Sequence, residues 1–360
     1  MTAPAIRFVS ALSAAPWGAA ETLWADTALR LIARGCRVAA SVRQWPQRPD
    51  PVARLIAKGV EIEERSDGGP GALVTTPRFD LTVLQQPDMF AATPWMTLCR
   101  QAGQAYATLT HYGAIHEWPP GDTALALRAG FLGARANYFV SNASIALAAR
   151  QSALRTLPRA QLVRTPFQVP HGGERPWPAQ DTPLRLACVG RLDLEDKGQD
   201  ALLHVLARPL WRARDVTLSL IGDGPHRTLL QAMIRELALE DRVRLTGPVR
   251  DIPGVWDHHH ALALASRAEG LPAVIVEAML CGRTCVVSDV AGNRELLDEG
   301  MTGFIARTPG DDDMDEALER LWAARAKLPA MGAAAAAAVR AAVPPDPASV
   351  FADMLLAACP

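Results

Sequence analysis

A paired cysteine framework is missing. The six cysteines follow no regular spacing, and Cys36, Cys188 and Cys285 sit in apolar runs that read as core. Cys281 and Cys285 are four apart, but Gly282 turns the chain between them and no His or Cys partner completes a ligand set. A disulfide-stapled secreted domain and a zinc module are thereby excluded, and a reducing cytoplasm is the expected setting. No uninterrupted run of about eighteen apolar residues is visible, so no membrane-spanning helix is expected. The first residues, MTAPAIRFVSALSAAPWGAAE, lack a charged segment ahead of an apolar core, and Arg7 interrupts them. They read as a strand, not a signal peptide. No G-x-G-x-x-G occurs, which argues against a nicotinamide-dependent dehydrogenase. Nor is there a solenoid repeat. His258-His259-His260 offers three imidazoles in a row, but three consecutive residues cannot all face one ion on regular structure. No carboxylate is spaced with them, so no metal is expected.

Charge of one sign is also scarce, since the formal net charge is -1. That balance hides an asymmetry: residues 1–170 carry 17 Lys and Arg against 11 Asp and Glu, and the remainder 20 against 27. The basic first half suits an acidic acceptor or an anionic membrane surface, although an ordinary solvated face gives the same count. At 360 residues, 49% hydrophobic and 21% charged, the chain is long enough for two α/β domains with sizeable cores.

Apolar strand-like runs alternate with helical stretches along the whole chain. Residues 6–12 read as a strand, 13–18 as a turn, 19–34 as a helix closed by Gly35, and 37–42 as a second strand, a βαβ opening. Residues 43–51 and 67–71 read as loops. Further strands are expected at 81–85, 107–110, 137–141 and 162–165, with Ser141 and Asn142 capping a helix. The Pro- and Gly-rich stretch 168–182 reads as a linker. Beyond it, strands are expected at 184–189, 217–221, 243–245, 261–265, 284–288 and 303–306. Helices are expected up to about residue 239, over 311–327, from 331 to 343, and from Pro347. This divides the chain into a first domain at 1–167, a linker at 168–183 and a second domain at 184–344, with a last helix, about 345–360, returning to the first.

The stretch from Ala261 to Glu295 organises the rest. A buried strand ends at Ser266, a turn carries Glu269, and Pro272 stands where a helix takes its first residue. Gly282 stops that helix, and Gly292 opens another after Asp289. Glu269 then lies at the carboxyl end of a strand, where open α/β sheets bind ligands. Glu277 lies about five residues into the helix, roughly 7–8 Å along its axis. Between them the amides of Gly270, Leu271 and their neighbours form an anion site at a helix N-terminus. Two carboxylates flanking an anion site suit a ligand with two diols flanking a diphosphate, that is, a nucleotide-sugar.

Ser266, Glu269, Gly270, Leu271, Pro272, Glu277, Ala278, Met279 and Gly282, followed by Asp289, Gly292 and Glu295, resemble the signature of family-4 retaining glycosyltransferases with the GT-B fold. So does Gly190-Arg191 with Lys197-Gly198 after the first strand of the second half. The resemblance is strong from 185 to 306 and weaker before 166. It implies two Rossmann-like parallel-sheet domains facing an interdomain cleft, the first holding the acceptor and the second the donor. It also implies that Arg191 and Lys197 hold the diphosphate, Glu269 the sugar hydroxyls and Glu277 the ribose diol. The glycine-containing first loop is represented by Trp17-Gly18, with one glycine where many relatives have a pair. A histidine after a first-domain strand reaches the transferred sugar. His111 matches it, with His116 as the alternative; a histidine merely bonded at a strand end is the bland reading. Gly222 belongs to a turn beside the nucleotide, and the backbone near Val249 and Arg250 to the base site. Loop tryptophans Trp17, Trp45 and Trp118 offer faces for an acceptor sugar, or simply pack.

The expected activity is transfer of a sugar from a nucleoside-diphosphate sugar to an acceptor hydroxyl, on a glycan, a lipid-linked or a small molecule, with retention of configuration. No metal or other cofactor and no nucleic-acid partner is expected, and the setting is the cytoplasm or its membrane face. The alternatives are a catalytically silent GT-B subunit partnering an active transferase, and a sugar-phosphate synthase or epimerase on the same scaffold.

Overall fold

The computed structural model describes residues 3–12, 16–66, 79–173, 175–178 and 183–360. The chain forms two compact units, Met1–Pro166 with Asp346–Pro360, and Phe167–Pro345. The turn expected at 13–18 lies outside the described residues at 13–15, the loop expected at 67–71 does so entirely, and the stretch 168–182 does so at 174 and 179–182.

The first unit opens with β1 (Ala5–Ser10), α1 (Ala19–Ala33), β2 (Arg37–Arg43), α2 (Asp50–Ala57) and β3 (Glu61–Arg65). It continues with β4 (Leu81–Gln86), α3 (Thr93–Gln101), β5 (Tyr106–Thr110), α4 (Gly121–Gly133), β6 (Asn137–Phe139), α5 (Asn142–Gln151) and β7 (Ala160–Leu162). The strands form one sheet in the order β3-β2-β1-β4-β5-β6-β7, every pair parallel. Central strands β4 and β5 are buried at every position, and burial on both faces is why they read as apolar runs instead of alternating. Edge strand β3, Glu-Ile-Glu-Glu-Arg, is buried only at Arg65, and its polar face hid it from a hydrophobicity reading.

Three expectations move here. The strand expected at 6–12 stops at Ser10. Asp50 and Pro51, expected in a loop, begin α2, where proline fits the first helical turn. The strand expected at 162–165 lies at Ala160–Leu162, because β6 pairs Asn137 with Ala160 and Phe139 with Leu162.

The second unit runs β8 (Leu184–Val189), α6 (Leu194–Lys197), α7 (Gln199–Leu206), α8 (Pro209–Arg212), β9 (Val216–Ile221) and α9 (Arg227–Glu236). Next come β10 (Val243–Gly247), α10 (Ile252–His258), β11 (Ala261–Leu264), α11 (Ala273–Leu280), β12 (Thr284–Ser288), β13 (Gly303–Ala306), α12 (Asp311–Ala323) and α13 (Leu328–Ala342). Its strand order is β10-β9-β8-β11-β12-β13, again parallel throughout. Both sheets reverse winding beside their first strand, at β1/β4 and at β8/β11, and such switch points are where doubly wound sheets take ligands.

Pro272 is the cap before α11 instead of its first residue, and the helix expected after Gly292 is only a 3-10 turn, Asn293–Leu296. The helix expected up to 239 ends at Glu236. A last helix, α14 (Pro347–Ala358), belongs to the first unit and packs on α1. Its Phe351 ring meets Tyr138 edge-on with centroids 5.0 Å apart, and Arg30 and Arg34 pair with Asp346 and Asp353.

The stretch Arg325–Ala358 is long and apolar enough to cross a membrane, by length and composition alone. A strict search for uninterrupted apolar runs passes over it because polar residues are scattered through alanine. Its two halves are α13 and α14, separated at Pro344 and Pro345, and each packs within its own unit, on α11 and α1 respectively.

Candidate functional site

In the second unit the segment after β8 and the turn after β11 are stitched together by main-chain bonds. The amides of Arg267 and Ala268 donate to the Asp196 carbonyl (2.7 and 3.2 Å). The Arg267 guanidinium grips Asp200 through two bonds of 2.8 and 2.7 Å. Gln199 Nε2 donates to the Arg191 carbonyl (2.8 Å). Gly198 makes the join possible. It sits at φ +57°, in the left-handed region, and a Cβ there would stand 2.2 Å from the Ala265 carbonyl oxygen. At Gly222 a Cβ would meet the Gly190 carbonyl at 2.0 Å, so a bare backbone lets the end of β9 close against the end of β8.

This scaffold brings Lys197 onto Glu269. Lys197 Nζ donates to Glu269 Oε1 at 2.5 Å, and Ser266 Oγ donates to the same oxygen at 2.9 Å. Both members are largely out of water, at 22% and 8% side-chain exposure. Arg191 is more open, and its guanidinium lies 2.8 Å from Asp196 and 3.0 Å from Asp193. Asp193 also caps α6 by accepting the Glu195 amide (3.1 Å). The turn after Glu269 is held from the other side, where Gly292 N donates to the Gly270 carbonyl (2.8 Å). Ser288 Oγ donates to Ser266 O (2.6 Å).

Helix α11 begins at Ala273, so the amides of Ala273 and Val274 have no acceptor within the helix, while that of Ile275 donates to Pro272 O (3.1 Å). Gly270 and Leu271 are buried in the turn just ahead of it. Glu277, one turn further in, is buried, and its Oε1 accepts the Gln168 amide at 2.9 Å. Burial raises its pKa above the usual carboxylate range, and the Gln168 bond opposes that rise. Cations, carboxylates and free helix-end amides together make a polar crescent at the carboxyl ends of β8 and β11 that can hold an anion beside hydroxyl groups. Val249 and Arg250 are exposed after Gly247, which ends β10.

The first unit holds the remaining candidates. Gly18 caps α1 without a side-chain bond, and Trp17 packs against Trp24 with centroids 5.8 Å apart. Trp118 is 53% exposed near the Arg150 guanidinium, and Trp45 lies near that of Arg43. The two histidines part company. His111 is buried after β5, its Nε2 has no hydrogen-bond partner among the described residues, and burial lowers its pKa to about 4; His116 is exposed. The histidine run disperses: His259 bonds Val255 O and Ser219 Oγ, and His260 Nδ1 accepts the Arg185 amide.

Sequence reading missed two polar groups at the β1/β4 switch point. Ser10 and Gln85 are register partners. Gln85 is fully buried, with both side-chain amide atoms unpartnered among the described residues, and Glu21 receives the Ser10 hydroxyl at 3.0 Å. Burial raises the Glu21 pKa to about 7. Ser10 and Glu21 also line a cavity of about 10 Å³ with Trp17, Arg43 and Trp45, room for one water. The visible signal was two glutamines ending an apolar strand, Leu-Thr-Val-Leu-Gln-Gln.

Residues 183–324 match the family model described as Glycosyl transferases group 1. Over 146 residues the chain is 37% identical to the alpha-D-kanosaminyltransferase of Streptomyces kanamyceticus, covering 39% of this chain. The chain spans 36% of that relative's length. The crystal structure of Anabaena Alr3699/HepE in complex with UDP is similar with a TM-score of 0.77 at 20% identity, over 98% of this chain and 99% of that one. A glycosyltransferase from Rickettsia africae ESF-5 is similar with a TM-score of 0.79 at 13% identity, over 99% and 98%. The two parallel-sheet units have the GT-B fold, and residues 183–324 of the second resemble the group 1 glycosyl transferases.

Proposed function

We propose that the chain transfers a sugar from a nucleoside-diphosphate sugar to an acceptor hydroxyl with retention of anomeric configuration. The observation that carries this reading is the contact of Lys197 with Glu269 beside Arg191 at the β8/β11 switch point. It supplies cations for a diphosphate within reach of a carboxylate for sugar hydroxyls. The kanosaminyl transfer named for one relative and the UDP held by Alr3699/HepE support the same donor chemistry.

In this reading Arg191, Lys197 and the amides opening α11 hold the diphosphate. Negative charge grows on it as the sugar–oxygen bond breaks, so fixed cations stabilise the transition state more than the ground state. Glu269 accepts sugar hydroxyls, and Glu277, steadied by the Gln168 amide, accepts the ribose diol. Gly222 and the backbone at Val249 and Arg250 flank the nucleotide. Retention follows from a front-face route: the bond from the anomeric carbon to the phosphate breaks, the bond to the acceptor oxygen forms on the same face, and the departing phosphate takes the acceptor's proton. His111 serves the transferred sugar from the first unit. Gly18 belongs with the donor, and Trp17, Trp118 and His116 with the acceptor. No metal ion enters this scheme. Six free thiols, five of them buried, suit a cytoplasmic setting, which is part of the same proposal.

The test is a thermal-shift and calorimetry panel of UDP-, GDP-, ADP- and TDP-sugars on the wild type and Glu277→Gln. The glutamine keeps an oxygen for the Gln168 amide while losing the charge. Stabilisation by one donor, weakened in the variant, followed by an acceptor-dependent product of unchanged anomeric configuration, is expected. No response to any donor would overturn the reading in favour of a silent subunit. Donor turnover without acceptor incorporation would favour an epimerase.

A further inference from the structure

The segment from Arg191 to Lys197, Arg-Leu-Asp-Leu-Glu-Asp-Lys, carries three carboxylates beside its two cations. That is a poor net charge for an anion site, and the structure shows where the carboxylates go. Glu195 is exposed. Asp193 is buried, caps α6 through the Glu195 amide and lies 3.0 Å from the Arg191 guanidinium, so it stays a neighbour of that cation whatever Asp196 does. Asp196 fastens the neighbouring turn through its backbone carbonyl, while its side chain binds the Arg191 guanidinium at 2.8 Å.

We propose that the Asp196 carboxylate competes with the donor diphosphate for the Arg191 guanidinium and is displaced by it, so that Asp196 sets how tightly the nucleotide is held. This rests on the donor-binding role given to Arg191 above. The exchange is favourable because the pair is partly open to water, with 56% and 24% side-chain exposure. Such pairs are worth little on their own, whereas a diphosphate offers several acceptor oxygens in the fork geometry a guanidinium prefers. Asp196 holds Arg191 extended and ready, at the cost of competing with the ligand. Once displaced, its charge stays near the diphosphate and shortens the residence of the nucleoside diphosphate left after transfer. It is a positioning residue; no reacting atom touches it.

Calorimetry with UDP and GDP on wild type, Asp196→Asn, Arg191→Ala and the double variant tests this. Asparagine keeps the size of the side chain and leaves the backbone carbonyl that docks the turn untouched. Asp196→Asn is expected to bind the preferred nucleotide about three- to tenfold more tightly. The same change in the Arg191→Ala background is expected to gain less than half of that factor. Dissociation measured by stopped flow should slow in Asp196→Asn, an effect that mere loosening of the loop would not produce. Unchanged or weaker binding in Asp196→Asn overturns the inference alone, as does an equal gain in both backgrounds. Absence of nucleotide binding in the wild type overturns it together with the donor-binding reading.

Discussion

Lys197 and Glu269 come together from 72 positions apart in sequence, and each is mostly screened from water. Removing one partner of such a pair leaves a charge without compensation, a loss of about 3–5 kcal/mol. Lys197→Ala should therefore lower the unfolding midpoint strongly, and adding Glu269→Gln should restore much of it. Thermal unfolding of the single and double variants reads this directly; equal losses in both would mean the carboxylate is not stranded. A second prediction concerns pH. The Glu21 carboxyl has a pKa of about 7 in the folded chain against an ordinary 4.5. Its contribution to stability is whole below about 4.5 and is lost as pH rises through 7. His111 runs the other way, at about 4 against 6.5, so its contribution is whole above 6.5 and lost as pH falls through 4. Each shift is worth on the order of 3 kcal/mol at full extent. Glu21→Gln should flatten the decline between pH 4.5 and 7, and His111→Asn the decline between pH 6.5 and 4, in urea titrations at steps across that range. Curves parallel to wild type would remove both groups from the pH response.

At the scale of elements, the loop after β8 depends on Gly198 in a way that the end of α11 does not depend on Gly282. Both have positive φ, +57° and +74°, but a Cβ at Gly198 would strike the Ala265 carbonyl, whereas nothing lies within 4 Å at Gly282. Alanine at Gly282 should cost about 1–2 kcal/mol of backbone strain. Alanine at Gly198 should cost more and also weaken nucleotide binding, because Arg191 and Lys197 hang from that loop. Denaturant midpoints and nucleotide affinities of the two variants check it, and equal effects would deny the close approach its role. Elements were legible in the sequence where both faces are buried and a glycine or proline marks the end, as with β8, β12 and α14. Strand β3 was not, since an edge strand satisfies only one neighbour and can carry three glutamates. The strand at Ala160–Leu162 was misplaced because its register is set by β6, not by its own composition. The site divides in the same way. Glu269, Glu277, Arg191 and Lys197 stood out by local pattern. Their partners did not, because the Gln168 amide on Glu277 and the Ser10–Glu21–Gln85 cluster are products of folding that no spacing records.

For the whole molecule, the discontinuous first unit matters most. Helix α14 completes it: Thr27 Oγ1 lies 3.4 Å from the Ala348 carbonyl oxygen, 321 positions away, and Phe351 is 1% exposed against Tyr138. Phe351→Ala should cost about 3–5 kcal/mol, and the loss should fall on the first unit. Scanning calorimetry should then show its transition lowered while the transition stabilised by nucleotide keeps its midpoint. Movement of both by the same amount would show that the two units melt as one.

That returning helix also fixes an order of events at the ribosome. A growing chain presents α1 early, yet the helix that covers its apolar face is translated only after the 179 residues of Phe167–Pro345. At about 5–20 residues per second, that is a wait of roughly 10–35 seconds. When that interval ends the second unit is whole and can settle, while the nascent first unit has kept throughout it an uncovered apolar surface that a holdase chaperone would recognise.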